Sequence, residues 1–165
     1  MAVYTKINNQ DISYINNKFK IDRIINFKGI KQGIENTNYL LKSRNNKFIL
    51  TIFEKRVSQK EVPFFMKLMD QLNNFKINCP KPLKNKSGNY LIKIRNKTAC
   101  IVTFLDGKDK KKLNLRNCYD IGKLVAQMHI SSRKIKLHRK NSMSIKNLNP
   151  LLNSIKFKSK KFINI

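Results

Sequence analysis

Apolar residues along this chain change period several times, and each change marks an element. Ile12, Ile15 and Phe19 recur at helical spacing behind an Asn/Asp-rich start, which predicts a helix from about Asn9 to Phe19. Five runs rich in Ile, Phe, Tyr and Thr follow at 23–30, 34–43, 47–54, 89–95 and 99–105, separated by turn residues, and they read as strands. Asn45-Asn46 and Asn96-Lys97 are short, and Asn tolerates positive φ, so both predict tight antiparallel hairpins. Between the third and fourth strands, Val62, Phe65, Met66, Met69 and Leu72 form a helical stripe that ends before Asn78-Cys79-Pro80. Its start is open. Ser58 with Glu61 has the form of a capping box, yet Pro63 would then stand at the fifth helical position, whereas proline prefers the first. A last helix from about Leu115 to Ser131, capped by Asn114, is expected to bury Cys118, Ile121, Val125 and Met128. Beyond Ser132 the periodicity fades among many lysines, and no internal repeat occurs. The order is helix, three strands, helix, two strands, the polar connector "DGKDKKKLN" at 106–114, then helix, which predicts an α+β protein with its boundary at that connector.

The charge changes this picture little. The 165 residues carry a formal charge of +27, which ordinarily points to nucleic acid or an anionic membrane. Lysine outnumbers arginine 29 to 7, however, and there are 22 Asn and 21 Ile. All three residue types have A/T-rich codons, so a biased genome accounts for the three excesses together. Nucleic-acid binding accounts for the lysines alone and would favour arginine, whose fork fits phosphates and base edges. The lysines are scattered through strands, turns and helices, and no RNP-like stretch occurs. The first twenty residues contain no apolar stretch of signal-peptide length, and the longest apolar run, "ACIVTFL" at 99–105, is too short to span a bilayer. A cytoplasmic location is expected. Cys79, Cys100 and Cys118 are odd in number and widely spaced, so they suggest neither disulfides nor zinc and read as small buried hydrophobes.

Candidate chemistry centres on Gly29 and Gly33, which flank the turn between the first two strands. A residue without a side chain lets backbone N–H groups approach phosphates, but a G-x-x-x-G hairpin is also an ordinary loop. Asn36 and Asn38 are placed to donate amide hydrogen bonds to phosphate or to satisfy a twisted edge. The stretches "MAVYTKI", "FKGIKQGIENTNYLL", "FILTIFEKRV", "PFFMKLMDQLNN", "CPKPL", "ACIVTFLDG", "IGKLVAQMH" and "RKNSMSIKNL", collinear from residue 1 to about 152, resemble bacterial homoserine kinases built on the aminoglycoside phosphotransferase, protein-kinase-like fold. The resemblance implies a kinase-like N-terminal lobe at 1–105, a five-stranded antiparallel sheet with one inserted helix. A hinge at 106–114 and the first helix or helices of an incomplete large lobe at 115–165 would follow. It further implies transfer of the γ-phosphoryl group of MgATP to the side-chain hydroxyl of L-homoserine in threonine biosynthesis, with a small-molecule substrate and no nucleic-acid or membrane partner.

On that resemblance, backbone groups of Thr103, Phe104 and Leu105 meet adenine, and Gly29, Gly33, Asn36 and Asn38 cover the phosphates. The lysine such kinases carry in the third strand falls here on Thr51, so Lys55, four residues on and facing the same way, is either its substitute from the strand's end or an ordinary solvated lysine. Its helix glutamate partner is Glu61 or nothing, because Phe65 stands nearer the expected place. His129 and His138 have no acid near them in sequence after Asp120 and form no triad.

Phosphoryl transfer also needs a catalytic-loop Asp, a following Asn and a Mg²⁺-binding Asp, yet residues 121–165 contain no Asp or Glu. The family implies a chain about twice this length. These residues are therefore expected to be the N-terminal portion of such a kinase, with ATP binding but no turnover alone and with an exposed apolar face. The alternatives are another small-molecule kinase of the same superfamily, a basic nucleic-acid-binding module, and a non-catalytic remnant.

Overall fold

The computed structural model describes residues 3–54, 59–107, 110–141 and 144–160. Five strands, β1 (Asn26–Gly29), β2 (Thr37–Lys42), β3 (Lys47–Ile52), β4 (Leu91–Ile94) and β5 (Lys97–Thr103), form one antiparallel sheet in the order β1-β2-β3-β5-β4. Helix α1 (Asn9–Lys18) precedes the sheet and α2 (Val62–Asn74) lies between β3 and β4. Helices α3 (Leu115–Ser132) and α4 (Ile145–Lys160) follow it. The α+β arrangement of a five-stranded antiparallel sheet with one inserted helix is thus present, with β1 to β4 each a few residues shorter than its apolar run and β5 shifted to begin at Lys97 and end at Thr103.

Alternation along the strands divides the sheet into two faces. On one, Tyr39, Leu41, Phe48, Leu50, Ile52, Ala99 and Ile101 pack with Ile7, Ile12, Ile15 and Phe19 from the N-terminal segment and α1. On the other, Cys100 and Val102 pack with Val62 and Met66 of α2, joined by the half-buried Ile49, Phe53 and Met69. Leu50, Ile52 and Ile101 have no exposed surface, and burying a side chain of that size is worth roughly 1.5–3 kcal/mol.

The caps explain where elements begin. The Asn8 side chain accepts from the N–H groups of Gln10 and Asp11, and the Asp11 carboxylate accepts from the Asn8 N–H at 2.9 Å, a reciprocal capping box. Arg95 adds two bonds to Asp11, at 2.9 and 3.1 Å. It reaches that carboxylate from the β4–β5 turn, where Arg95 and Asn96 both adopt positive φ, 49° and 61°. The turn therefore falls one residue before the Asn96-Lys97 pair expected, because Lys97 already pairs with Ile94 in the ladder. Helix α2 starts at Val62, which puts Pro63 in its first turn and resolves the open start, while Ser58 lies outside the described residues. Glu61 occupies the N-cap, but its side chain makes no capping bond.

One expectation fails beyond the sheet. Helix α3 is capped by Asn114 as expected, but Cys118, Ile121, Val125 and Met128 are all exposed, not buried. Helix α3 makes a slight contact with α2, and its apolar stripe lies open. Helix α4 lies where the periodicity alone marked no element, within the stretch 115–165 for which the resemblance implied a helix or helices. Its periodicity is weak and Pro150 stands inside it, which removes the N–H that would bond to the Lys146 carbonyl. Of the cysteines read as buried hydrophobes, Cys100 is buried, Cys79 is half-buried with its thiol near the Met69 carbonyl, and Cys118 is exposed.

Candidate nucleotide cleft

The face of the sheet that carries α2 also carries the candidate site. Cross-strand register places Lys28, Leu40, Ile49 and Val102 in one row, and Asn38, Thr51 and Cys100 in the next row but one along β2, β3 and β5. Asn38 and Thr51 are joined directly, the Thr51 hydroxyl donating to Asn38 Oδ1 at 2.8 Å. Thr51 thus lies where the resemblance places the phosphate-binding lysine and is bonded to a neighbouring asparagine. Lys55 falls outside the described residues.

Above these rows stands the β1–β2 connection, residues 30–36. Gly33 has φ 119°, a left-handed conformation that an L side chain rarely adopts. The loop and its flanks enclose an open concavity of 460 Å³ lined by Lys28, Gly29, Ile30, Lys31, Gln32 and Leu40. Lys28 and Lys31 are cations at this concavity that the strand pattern did not single out. The signal was present, because "FKGIK" places a lysine one residue before and two residues after Gly29. Asn36 closes the loop, its Oδ1 accepting from the Glu54 N–H at 3.3 Å.

Gly29 answers to a different constraint from the one expected. A Cβ added there would lie 2.9 Å from Val3 Cγ2 and 3.5 Å from Tyr39 Cε1, so its missing side chain makes room for the N-terminal segment. Close approach to a phosphate need not be invoked for it.

At the other end of β3, Phe48 pairs with Thr103. The Thr103 N–H donates to the Lys81 carbonyl at 2.9 Å, and its hydroxyl accepts from the Lys81 N–H at 2.9 Å. The Phe104 N–H donates to the Lys47 carbonyl at 3.2 Å. The N–H groups of two of the three residues whose backbone was expected to meet adenine are therefore engaged within the fold. Leu105 follows them on exposed, non-strand backbone. Lys47 stands over the Phe104 ring at 5.2 Å and pairs with Asp106 at 3.1 Å, which fixes the start of the connector.

Two acidic residues near this region are committed elsewhere. Glu61 receives both Arg139 Nε and Nη2 at 3.1 Å, and the same guanidinium lies 5.2 Å from the Phe65 ring. Glu54 turns to the opposite face of the sheet, where Thr5 and Thr37 donate to its Oε1 at 2.7 Å each and Lys97 pairs with its Oε2. Burial pushes the Glu54 carboxyl up, but hydrogen bonds from Lys97, Thr5 and Thr37 and the Lys97 charge outweigh it and hold it below its ordinary value. This Glu–Lys pair secures the sheet and does not face the cleft. On the rim of α2, burial and a 2.8 Å bond to Asp70 push the Tyr90 hydroxyl up to about 12. His129 and His138 are both exposed.

A family model described as the phosphotransferase enzyme family matches residues 26–143, which takes in the sheet, α2 and α3. The chain belongs to the phosphotransferase enzyme family. Among curated members, the chain is 35% identical over 154 residues to the homoserine kinase of Parvibaculum lavamentivorans, covering 93% of this chain and 48% of that protein. The homoserine kinases of Bradyrhizobium diazoefficiens and Paramagnetospirillum magneticum are 34% and 36% identical, with 93% and 94% of this chain covered and 47% and 48% of theirs. This phosphotransferase chain thus spans about half the length of the curated relatives it matches. Two solved structures share the fold. Spectinomycin phosphotransferase APH(9)-Ia, in complex with ADP and spectinomycin, superposes with a TM-score of 0.63 at 14% identity, covering 77% of this chain and 39% of that one. A microcompartment-associated aminopropanol kinase gives 0.62 at 12%, covering 82% and 45%.

Proposed function

We propose that these residues form the nucleotide-binding lobe of a homoserine kinase, the enzyme that transfers the γ-phosphoryl group of ATP to the side-chain hydroxyl of L-homoserine. The observation that carries the reading is the row Leu40, Ile49, Val102, an apolar strip on the α2 face with the Gly33 loop at one end of β3 and the Thr103–Leu105 segment at the other. Phe48 and Thr51 stand three positions apart, and at about 3.3 Å per residue that span is roughly 10 Å, suited to a nucleotide lying along the strand. Adenine sits at the Leu105 end, contacting its backbone and the carbonyls of Thr103 and Phe104, and the phosphates lie beneath loop 30–36. There Lys28 and Lys31 supply positive charge and Asn36 and Asn38 supply amide groups, with Lys55 the further cation that the resemblance implies. The lobe comprises 1–105, the hinge 106–114, and 115–165 begins the helical lobe. The enzyme acts on a small cytoplasmic metabolite, and among the described residues no helix is long and apolar enough to cross a membrane.

Magnesium finds no fit among the described residues. No group of three His, Cys, Asp or Glu residues is gathered among the described residues, and 121–165 contain neither Asp nor Glu. Lysine does not ligate Mg²⁺, and asparagine carbonyls bring no negative charge without a carboxylate beside them, so no step is assigned to the metal here. The acid that orients the homoserine hydroxyl must likewise come from residues other than these.

The test is calorimetric titration of the 165-residue chain with ATP, together with an ADP-release assay containing homoserine. Binding without turnover is the expected result. Failure to bind millimolar ATP overturns the nucleotide-lobe reading, and turnover at an ordinary rate overturns the placement of the catalytic acids outside this chain. A chimera that continues after residue 152 with the remainder of the Parvibaculum relative then separates substrates. It is expected to prefer homoserine over choline-like and aminoglycoside alcohols.

A further inference from the structure

The N-terminal segment touches the 30–36 loop at its entry, its middle and its exit. At the entry, Val3 fills the space a side chain on Gly29 would occupy, 2.9 Å from the position of such a Cβ. In the middle, the Tyr4 hydroxyl donates to the Ile34 carbonyl at 2.8 Å. At the exit, the N–H groups of Tyr4 and Thr5 both donate to Thr37 Oγ1, at 2.9 and 3.1 Å. The segment is itself anchored from beneath. Thr5 Oγ1 donates to Glu54 and accepts from Lys97 at 2.8 Å, and the Tyr39 hydroxyl accepts from the Ile7 N–H and donates to the Thr5 carbonyl at 3.0 Å. Thr37 has no exposed surface and Thr5 almost none, whereas Tyr4 is 56% exposed and bonds to the loop from outside the core.

We propose that residues 3–7 are a strap that sets the height of the phosphate-covering loop, with Tyr4 and Val3 as its positioning residues. This rests on the proposed function for its consequence, although not for its geometry. A loop that donates backbone N–H groups to phosphates gains affinity only if it is held in place before the ligand arrives, because ordering it on binding costs conformational entropy. Here the strap fixes the loop by one hydrogen bond to a loop carbonyl and one steric contact at Gly29. Neither contact uses a group that would face the nucleotide. Gly29 is then small for the sake of Val3, and Gly33, with its positive φ, is the glycine that shapes the loop.

Tyr4→Phe removes the hydroxyl and leaves the ring. Without nucleotide, amide exchange across residues 31–36 is expected to speed up by about two- to tenfold, as loss of one hydrogen bond implies, while the melting temperature falls by no more than a few degrees. The ATP dissociation constant should rise by a similar factor. A second pair of variants tests the steric half. Gly29→Ala is expected to loosen the same loop, and adding Val3→Ala should restore it, because the collision is with the Val3 methyl groups. If glycine were there for phosphate approach, Val3→Ala would restore nothing, and the strap would be overturned. Unchanged exchange in Tyr4→Phe overturns it as well. So does faster exchange with undiminished ATP affinity. Should wild type fail to bind ATP while exchange responds as expected, the functional reading falls and the positioning role falls with it, leaving the mechanical contact standing.

Discussion

Replacing Thr37 by valine keeps the shape of a fully buried side chain and deletes one oxygen that serves three partners. Its hydroxyl accepts from the N–H groups of Tyr4 and Thr5 and donates to Glu54 Oε1 at 2.7 Å. The substitution leaves the buried Thr5 N–H unpaired, leaves the partly wetted Tyr4 N–H to water, and takes one charge-assisted bond from a carboxylate. An orphaned buried donor costs about 1–3 kcal/mol and a hydrogen bond to a charged group contributes about 1.5–3 kcal/mol, so the sum is about 3–5 kcal/mol. Domains of this size are stable by only about 5–15 kcal/mol, which makes the loss a large share of the whole. Urea unfolding followed by circular dichroism measures it. With a slope of about 2 kcal/mol per molar, the midpoint should fall by about 2 M while the slope stays the same. Thr103→Val is the internal comparison, because that half-buried hydroxyl accepts a single bond from the Lys81 N–H. Its cost should be about 1 kcal/mol. Equal losses in the two variants, or a Thr37→Val loss under about 1 kcal/mol, would refute the claim that this hydroxyl is the node joining the N-terminal segment to the sheet.

Three further outcomes follow from the same structure. Glu54 is held below its ordinary value, so the unfolded chain binds more protons there, and its contribution is full above the usual carboxylate range and lost as pH falls through the lower folded value. The stability difference between wild type and Glu54→Gln should therefore shrink as pH falls from about 5 to 3, and two parallel pH profiles would show that Glu54 does not gain its bonds on folding. Alkylation followed by mass spectrometry should modify Cys118 first, Cys79 more slowly and Cys100 only on unfolding, since burial pushes the Cys100 thiol up to about 12. Ile121, Val125 and Met128 form an exposed stripe on α3, 52%, 43% and 38% open, so the 165-residue chain should associate as concentration rises. Ile121→Ser with Val125→Ser should reduce that association, and a wild type that sediments as a monomer at high concentration would count against it.

The sheet was legible because period-two alternation and its β-branched residues are local signals, and each strand needed only its own neighbours to declare itself. The inserted helix was legible for the same reason, although only the structure put Pro63 into its first turn. The burial of α3 was misjudged because periodicity reports that one face is apolar, not that anything lies against it. The site divided along the same line. Gly33 and Asn36 stand in one loop with Asn38 just inside β2, since that placement depends on a single hairpin. What could not be read were contacts over long separations: Val3 against Gly29, Thr5 and Lys97 on Glu54, Arg139 on Glu61. These partners stand tens of residues apart and show no mark in sequence. Glycine in particular looks the same whether it yields space to a phosphate or to a valine.

The strand order has a consequence in time. β3 pairs with β2 across a short turn, but its other edge waits for β5, and Lys97 is made well after Ile52. At the usual pace of synthesis, about 5–20 residues per second, that interval is roughly 2–10 s. Throughout it the growing chain presents "FILTI", a neutral strand with an unpaired edge and two sticky faces, to its surroundings. The lysines on either side of that run, Lys47 and Lys55, then act as gatekeepers during biosynthesis, discouraging neighbouring nascent chains from adding a strand where β5 belongs.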